Sequence, residues 1–233
     1  MGLVLEGGGS RGAYHAGAYK ALLEEGITFD GVVGTSIGAI NGAMIVQGSF
    51  DTCFDMWHNI SYDQVISLEG RDIEELEELN FSVDSFSGLR LRLKEIISNK
   101  GFDISPLKKL LSDNIDEEAI RNSNMDFGLV TVNLTDMKSL ELFKEDIPEG
   151  QMKDYILASA YLPGFKAERL NGKYYLDGAF HDNLPFGMLE KKGYEEFVMI
   201  RTHGTGITKK TDHIKSKSLI ISPSQDLGKT YDY

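Results

Sequence analysis

The first 48 residues alternate between two patterns, short apolar runs and longer segments with helical spacing. The run Leu3–Leu5 is followed by a glycine-rich loop and by residues 13–25, a helical pattern that ends at Gly26. A second apolar run at 31–34 leads into a second helical pattern at 36–48. Strand, helix, strand and helix in this order predict a parallel β-α-β unit.

The second half of the chain continues with short strands and helices. The dipeptide Asn171-Gly172 predicts a β-hairpin that pairs residues 166–170 with 173–177. We therefore expect one α/β domain over residues 1–233, with a mostly parallel central sheet between two layers of helices. The other predicted elements are strands at 125–134, 138–146, 197–201 and 219–222, and helices from 152 to about 163 and after Pro185.

Two features depart from this alternation. Residues 50–123 are highly charged and carry apolar residues at partly helical spacing, which predicts a mostly helical insertion. Gly17 and Gly42 lie inside the first two predicted helices, where glycine costs up to about 1 kcal/mol relative to alanine. We expect close packing of these two helices on the sheet to offset that cost.

Composition narrows the function classes. The formal net charge of −12 argues against general binding to nucleic acid and against electrostatic anchoring to an anionic membrane. No apolar run approaches the roughly 20 residues that cross a bilayer, and no signal-peptide pattern follows Met1. We therefore expect a cytoplasmic protein without a transmembrane segment. Cys53 is the only cysteine, so neither an internal disulfide nor a cysteine metal cluster is expected.

The loop after the first strand contains Gly7, Gly9 and Gly12, the G-x-G-x-x-G spacing that cradles a pyrophosphate in dinucleotide-binding folds. That function also needs an acidic residue at the carboxyl end of the second strand. Asp30 precedes this strand and so lies at its amino end. A nucleotide site is therefore the weaker interpretation of the loop.

The second strand ends in "GTSIG", residues 34–38, which is G-x-S-x-G between a strand and a helix. This context is typical of a nucleophile elbow, in which a sharp turn lifts the serine hydroxyl above the sheet. Ser36 is the candidate nucleophile, and Gly34 and Gly38 leave room for the turn. The alternative is that Ser36 only caps the following helix.

The two glycine-containing loops are expected at the same edge of the sheet, because they follow adjacent parallel strands. The backbone N–H groups of Gly7, Gly8, Gly9 and Ile37 are then candidate donors to the oxyanion that forms when a serine attacks an acyl carbonyl. The alternative for the loop is a tight turn before a helix. Arg11 either orients an anionic headgroup or braces the loop, and the sequence favours neither.

A serine nucleophile needs a base. In the order Ser, Asp, His of the α/β-hydrolases, the histidine follows a carboxyl-terminal acid. His181, His203 and His213 are candidates by position, but none lies in a motif that marks it.

Five blocks in order resemble the patatin-like phospholipase family, from Leu3 to about Pro185. The resemblance implies a Ser–Asp dyad without histidine, with Ser36 as nucleophile and Asp177 as base. The Asp-Gly dipeptide at 177–178 is otherwise a common hairpin turn. The blocks are "EGGGSRG" at 6–12, "GTSIG" at 34–38, "ASAYLPGF" at 158–165, "DGAF" at 177–180 and "DNLP" at 182–185.

The resemblance implies a serine acyl hydrolase that cleaves phospholipid or lysophospholipid esters through an acyl-enzyme. A substrate at a membrane surface stays open, and the negative charge of the protein means that it would have to be reached by apolar contacts. No cofactor and no metal are expected. Two alternatives stay open. One is an acyltransferase or thioesterase that uses the same site, and the other is a lipid-binding module whose site is inactive.

Overall fold

The computed structural model describes residues 1–67, 101–209 and 216–230. Its strands are β1 Gly2–Leu5, β2 Gly31–Thr35, β3 Asp126–Asn133, β4 Lys138–Phe143, β5 Tyr175–Asp177, β6 Glu196–Ile200 and β7 Lys217–Ile221. Its α-helices, numbered over the described residues, are α1 Ala13–Glu24, α2 Ile37–Val46, α3 Phe50–Asn59, α4 Ser105–Asn114, α5 Glu117–Asn122, α6 Met152–Ser159 and α7 Phe186–Lys191. Short 3-10 helices lie at Gly9–Gly12, Tyr62–Gln64 and Gly178–Phe180.

One mixed sheet contains all the described strands, in the order β4-β3-β2-β1-β6-β7 with β5 paired to β3. The neighbours from β3 to β7 run parallel, whereas β4 and β5 run antiparallel to β3. The mostly parallel α/β sheet predicted from the sequence is confirmed. Parallel strands are joined by crossovers, which here place α1 and α2 after β1 and β2.

Alternate residues of each central strand enter different cores, as expected for side chains that point to opposite faces of a sheet. Leu3 and Leu5 of β1 pack into the larger core together with residues of α1, α2, α3 and α6. Val4 belongs to the smaller core, which α7 covers with Phe186 and Met188. Helices therefore cover both faces of the sheet.

The predicted hairpin at Asn171-Gly172 is only partly correct. The turn forms, with φ of 49° and 79° at its two residues. Beyond it, however, a single bridge joins Leu170 to Lys173. Residues 166–170 are not a strand, because β5 pairs with β3 instead.

The two helical glycines behave differently. A Cβ at Gly42 would lie 3.1 Å from the Val32 side chain, so α2 does pack closely on the sheet at this point. Gly17 is exposed and a Cβ there would meet nothing within 4 Å, so the predicted close packing is wrong at this position. Of the segment 50–123, the described parts contain α3, α4 and α5, while residues 68–100 lie outside the described residues.

Candidate active site

Strand register places Ser36 and Asp177 side by side. The pairing of β2 with β3 ends at Thr35 opposite Val130, and β5 pairs with β3 from the next residue, Thr131 opposite Asp177. Ser36 follows Thr35 directly. The two residues, 141 positions apart in the chain, therefore meet where β2 gives way to β5 along β3.

The turn at Ser36 has the strained geometry of an elbow. Ser36 has φ of 57° and ψ of −125°, a left-handed region that residues other than glycine rarely adopt. The turn leaves no space at its glycines, since a Cβ at Gly34 would lie 2.3 Å from the Gly38 carbonyl. A Cβ at Gly38 would lie 2.3 Å from the Leu5 carbonyl oxygen. The Ser36 N–H donates to Ser159 Oγ at 3.0 Å, which holds the turn from the side of α6.

The Ser36 hydroxyl donates to Asp177 Oδ2 at 2.6 Å. The other carboxylate oxygen, Oδ1, accepts the Ala179 N–H at 2.8 Å. Only 7% of Ser36 and 1% of Asp177 is exposed. Burial raises the pKa of Asp177 to about 7, although the hydrogen bonds from Ser36 and Ala179 act in the opposite direction.

The described histidines lie apart from this pair. His181 Nε2 is 3.4 Å from Glu141 Oε1. The backbone N–H of His203 donates to Glu6 Oε2 at 2.9 Å, and this residue is exposed. Among the hydrogen bonds and ion pairs of the described residues, no histidine side chain contacts Ser36 or Asp177. His213 lies outside those residues.

The glycine loop lies at the same edge of the sheet as Ser36 and Asp177. A Cβ at Gly7 would be 3.2 Å from Ser36 Cβ, which shows how closely the loop approaches the elbow. The Gly7 N–H donates to the Asn183 carbonyl at 3.1 Å, so Gly7 is not a free donor and its predicted oxyanion contact is not supported. Within the described part of the chain, the N–H groups of Gly8, Gly9 and Ile37 have no acceptor.

Two residues outside the glycine motif fix the start of this loop. Thr202 Oγ1 donates to the Gly7 carbonyl at 2.6 Å, and Asn183 Nδ2 approaches the same oxygen at 3.4 Å. The buried Glu6 carboxylate in turn accepts the Thr202 N–H at 2.7 Å. The sequence marked Asn183 only as part of "DNLP" and Ser159 only as part of "ASAYLPGF"; nothing in it marked Thr202.

Arg11 braces the loop. Its Nε donates to the Gly228 carbonyl at 3.0 Å and its Nη1 donates to the His203 carbonyl. These backbone partners support the bracing interpretation over contact with an anionic headgroup. Asp30, the acidic residue that precedes β2, pairs with the Met1 amino group at the amino end of this strand.

An apolar pocket of about 60 Å³ opens beside Ser36. It is formed by α2, α3, α4 and the segment 160–165, and its lining includes Ile37, Ile40, Met44, Trp57, Leu107 and Phe165. A lining of this kind offers contact to apolar groups and little to a polar group.

The polar groups that reach the pocket are bonded to one another. Asn41 Oδ1 accepts the Trp57 indole N–H at 3.1 Å and the Cys53 thiol at 3.5 Å, while its Nδ2 donates to the Gly12 carbonyl at 3.0 Å. Burial raises the pKa of the Cys53 thiol to about 12, so it stays protonated and unreactive at neutral pH.

The described residues show neither a cluster of metal ligands nor a membrane-spanning helix. No group of three or more His, Cys, Asp or Glu side chains in this part of the chain is placed to hold a metal ion. Likewise, no described helix combines the length and apolar character that crossing a membrane requires.

Comparison with known proteins gives one consistent result. A family model described as patatin-like phospholipase matches residues 3–189. The chain is 26% identical to patatin-like phospholipase domain-containing protein 7 of Rattus norvegicus, over 86% of this chain and 13% of that protein. It is 28% identical to the lysophospholipase NTE1 of Kluyveromyces lactis, over 83% of this chain and 12% of that protein. The chain thus spans about one eighth of the length of these relatives.

Among solved structures, VipD from Legionella pneumophila has a similar fold. The TM-score is 0.52 at 14% sequence identity, over 87% of this chain and 50% of that one. This likeness concerns the fold alone.

Proposed function

Since the chain belongs to the patatin-like phospholipase family, we propose that it hydrolyses carboxylic esters of lipids through a Ser36–Asp177 dyad and an acyl-enzyme intermediate. The observation that carries this proposal is the direct 2.6 Å hydrogen bond from the Ser36 hydroxyl to the Asp177 carboxylate. A nucleophile within hydrogen-bond reach of its base is the arrangement that activates a serine hydroxyl.

In the proposed reaction Ser36 Oγ attacks the ester carbonyl carbon while Asp177 Oδ2 accepts its proton. Asp177 then returns the proton to the leaving alcohol, and the acyl group stays on Ser36. Water attacks the acyl-enzyme with Asp177 again as base, which releases the fatty acid and restores the serine. A solvated aspartate is a weak base at neutral pH, so the raised pKa of Asp177 brings this carboxylate closer to the proton affinity that the step requires.

The tetrahedral intermediate carries a negative oxygen that needs donors already in place. The N–H groups of Gly8, Gly9 and Ile37 are proposed for this role, because they belong to the loop that approaches Ser36 and to the residue that follows it, and they donate to no described acceptor. Ile37 is also the first residue of α2, whose dipole favours negative charge at this end. One donor of this type contributes about 3–4 kcal/mol to transition-state stability.

The pocket beside Ser36 supports a fatty acyl chain as the group that is transferred. Its apolar lining offers hydrocarbon contact from residues of α2, α3 and α4 and includes the nucleophile Ser36. The net charge of −12 makes apolar contact the proposed means of reaching a lipid at a membrane surface, because anionic headgroups would repel the protein.

The test is covalent labelling with a fluorophosphonate, followed by hydrolysis of a lysophospholipid, a diacyl phospholipid and a short-chain nitrophenyl ester. We expect the label on Ser36, and we expect Ser36→Ala to lose labelling and hydrolysis by a factor on the order of 10⁶. Ser112→Ala, an exposed serine on α4, is the matched control. A label on another serine contradicts the assignment, and a folded wild type that neither labels nor hydrolyses any ester contradicts the hydrolase proposal.

A further inference from the structure

A short segment near the end of the described chain lies across the glycine loop. The strap, defined here as Gly228–Thr230, follows β7 and returns to the active-site edge of the sheet. Its three carbonyl oxygens all accept hydrogen bonds from the loop. The Thr230 carbonyl accepts the Ser10 N–H at 2.8 Å, the Lys229 carbonyl accepts the Ser10 hydroxyl at 2.8 Å, and the Gly228 carbonyl accepts Arg11 Nε at 3.0 Å.

The strap fits the loop closely enough to require glycine beneath it. Gly9 has φ of 59°, and a Cβ at this position would lie 2.3 Å from the Thr230 carbonyl oxygen. Gly228 has φ of 80°, the left-handed region in which glycine is the least strained residue. The backbone of the loop and the backbone of the strap are therefore both shaped for this contact.

The strap contacts the residues that directly follow the proposed oxyanion donors. The Thr230 carbonyl accepts the Ser10 N–H, whereas the N–H groups of Gly8 and Gly9 have no acceptor among the described residues. The Gly8 carbonyl accepts the Arg11 N–H at 3.3 Å. Because a trans peptide points its carbonyl and N–H in opposite directions, the Gly9 N–H then points away from Arg11.

The other end of the loop is held in the same way. The Gly7 carbonyl is fixed by Thr202 Oγ1, so the Gly8 N–H points away from Thr202. The donor pair thus lies between two clamps, Thr202 on one side and the strap on the other. We propose that the strap is a positioning element for catalysis, which holds the Gly8 and Gly9 N–H groups at the oxyanion position.

This inference rests on the proposed function. It predicts a selective effect, because the strap's hydrogen bonds reach Ser10 and Arg11 of the loop. None of the three strap residues lines the apolar pocket that would bind the acyl chain. A displacement of about 1 Å in catalytic groups can cost on the order of 10²-fold in rate. Loss of the strap should therefore lower kcat about 10-fold to 100-fold and change KM little.

The test compares Gly228→Pro with Gly150→Pro. Proline cannot adopt a φ near 80°, so Gly228→Pro displaces the strap. Gly150 is matched, because its φ is 79° and its N–H donates to a carboxylate, Glu117 Oε1, as the Gly228 N–H donates to Asp226 Oδ1. Both variants are measured for kcat, KM, melting temperature and the rate of fluorophosphonate labelling.

We expect Gly228→Pro to lose kcat and labelling rate about 10-fold or more while KM stays within about twofold. Gly150→Pro should keep the wild-type kcat at a comparable melting temperature. Equal kcat in the two variants, or a loss that lies entirely in KM, overturns the inference. If Gly228→Pro does not fold, the double variant Ser10→Ala with Arg11→Ala decides, because it removes two of the three hydrogen bonds to the strap. A wild-type kcat in that double variant overturns the inference.

The two proposals fail in different ways. If wild-type protein shows neither hydrolysis nor labelling at Ser36, the proposed function is wrong. If wild type is active and the folded test variant keeps its kcat, the function stands and the strap has no catalytic role.

Discussion

Replacing Asp177 with asparagine should lower the rate about 10²-fold to 10⁴-fold and, at alkaline pH, stabilise the fold. The substitution keeps the shape of the side chain and an oxygen that can accept the Ala179 N–H. It removes the charge that would accept the Ser36 proton, and loss of a general base costs about 10²–10⁴ in rate. The same charge is almost fully buried, with 1% of the residue exposed. Burying an ionised carboxylate costs free energy, so the ionised form of Asp177 lowers the free energy of unfolding.

The size of that cost follows from the pKa. Burial moves the pKa of Asp177 from its ordinary 3.8 to about 7. The folded protein therefore binds a proton between these pH values that the unfolded chain releases, and stability falls as the pH rises through this window. Above pH 7 the full penalty is present, and a pKa difference of this size corresponds to about 4 kcal/mol as an upper bound.

The assay is urea unfolding of wild type and Asp177→Asn at pH 4 and pH 8. We expect the variant to be more stable than wild type at pH 8, by up to about 4 kcal/mol, and the difference to shrink toward zero at pH 4. Asp51→Asn, an exposed position on α3, controls for the change in net charge. A stability difference that is the same at both pH values would refute the reasoning that the buried Asp177 charge is the source of the effect.

Four further predictions test the active site and the packing of the helices beside it. The value of kcat/KM should rise about tenfold per pH unit below pH 7 and level off above it, because only ionised Asp177 acts as a base; a profile flat from pH 5 to pH 9 contradicts this. His181→Ala and His203→Ala should each keep kcat within about tenfold of wild type, and a folded variant as inactive as Asp177→Asn would establish a triad. Gly38→Ala should lower the free energy of unfolding by about 1–3 kcal/mol, because its methyl group would overlap the Leu5 carbonyl. Gly17→Ala, with nothing within 4 Å, should raise it by about 0.5–1 kcal/mol, and denaturant midpoints measure both.

The sequence by itself determined the local features of this protein. The β-α-β start, the elbow at Ser36 and the turn at Asn171-Gly172 depend on neighbouring residues, since hydrophobic period, glycine spacing and turn residues act within a few positions. The link between Ser36 and Asp177 came from resemblance to a family, because no local pattern connects residues 141 positions apart.

Only the tertiary structure decided how these pieces face one another. The end of the β2–β3 pairing and the start of the β5–β3 pairing put Asp177 beside Ser36, and this register is set by strand pairing across the whole sheet. The same holds for the glycine loop. Its motif suggested Gly7 as a donor, but Asn183, distant in sequence, already accepts that N–H. Backbone groups have no sequence signature of their own, so which N–H groups stay free depends on the distant carbonyls that the fold brings to them.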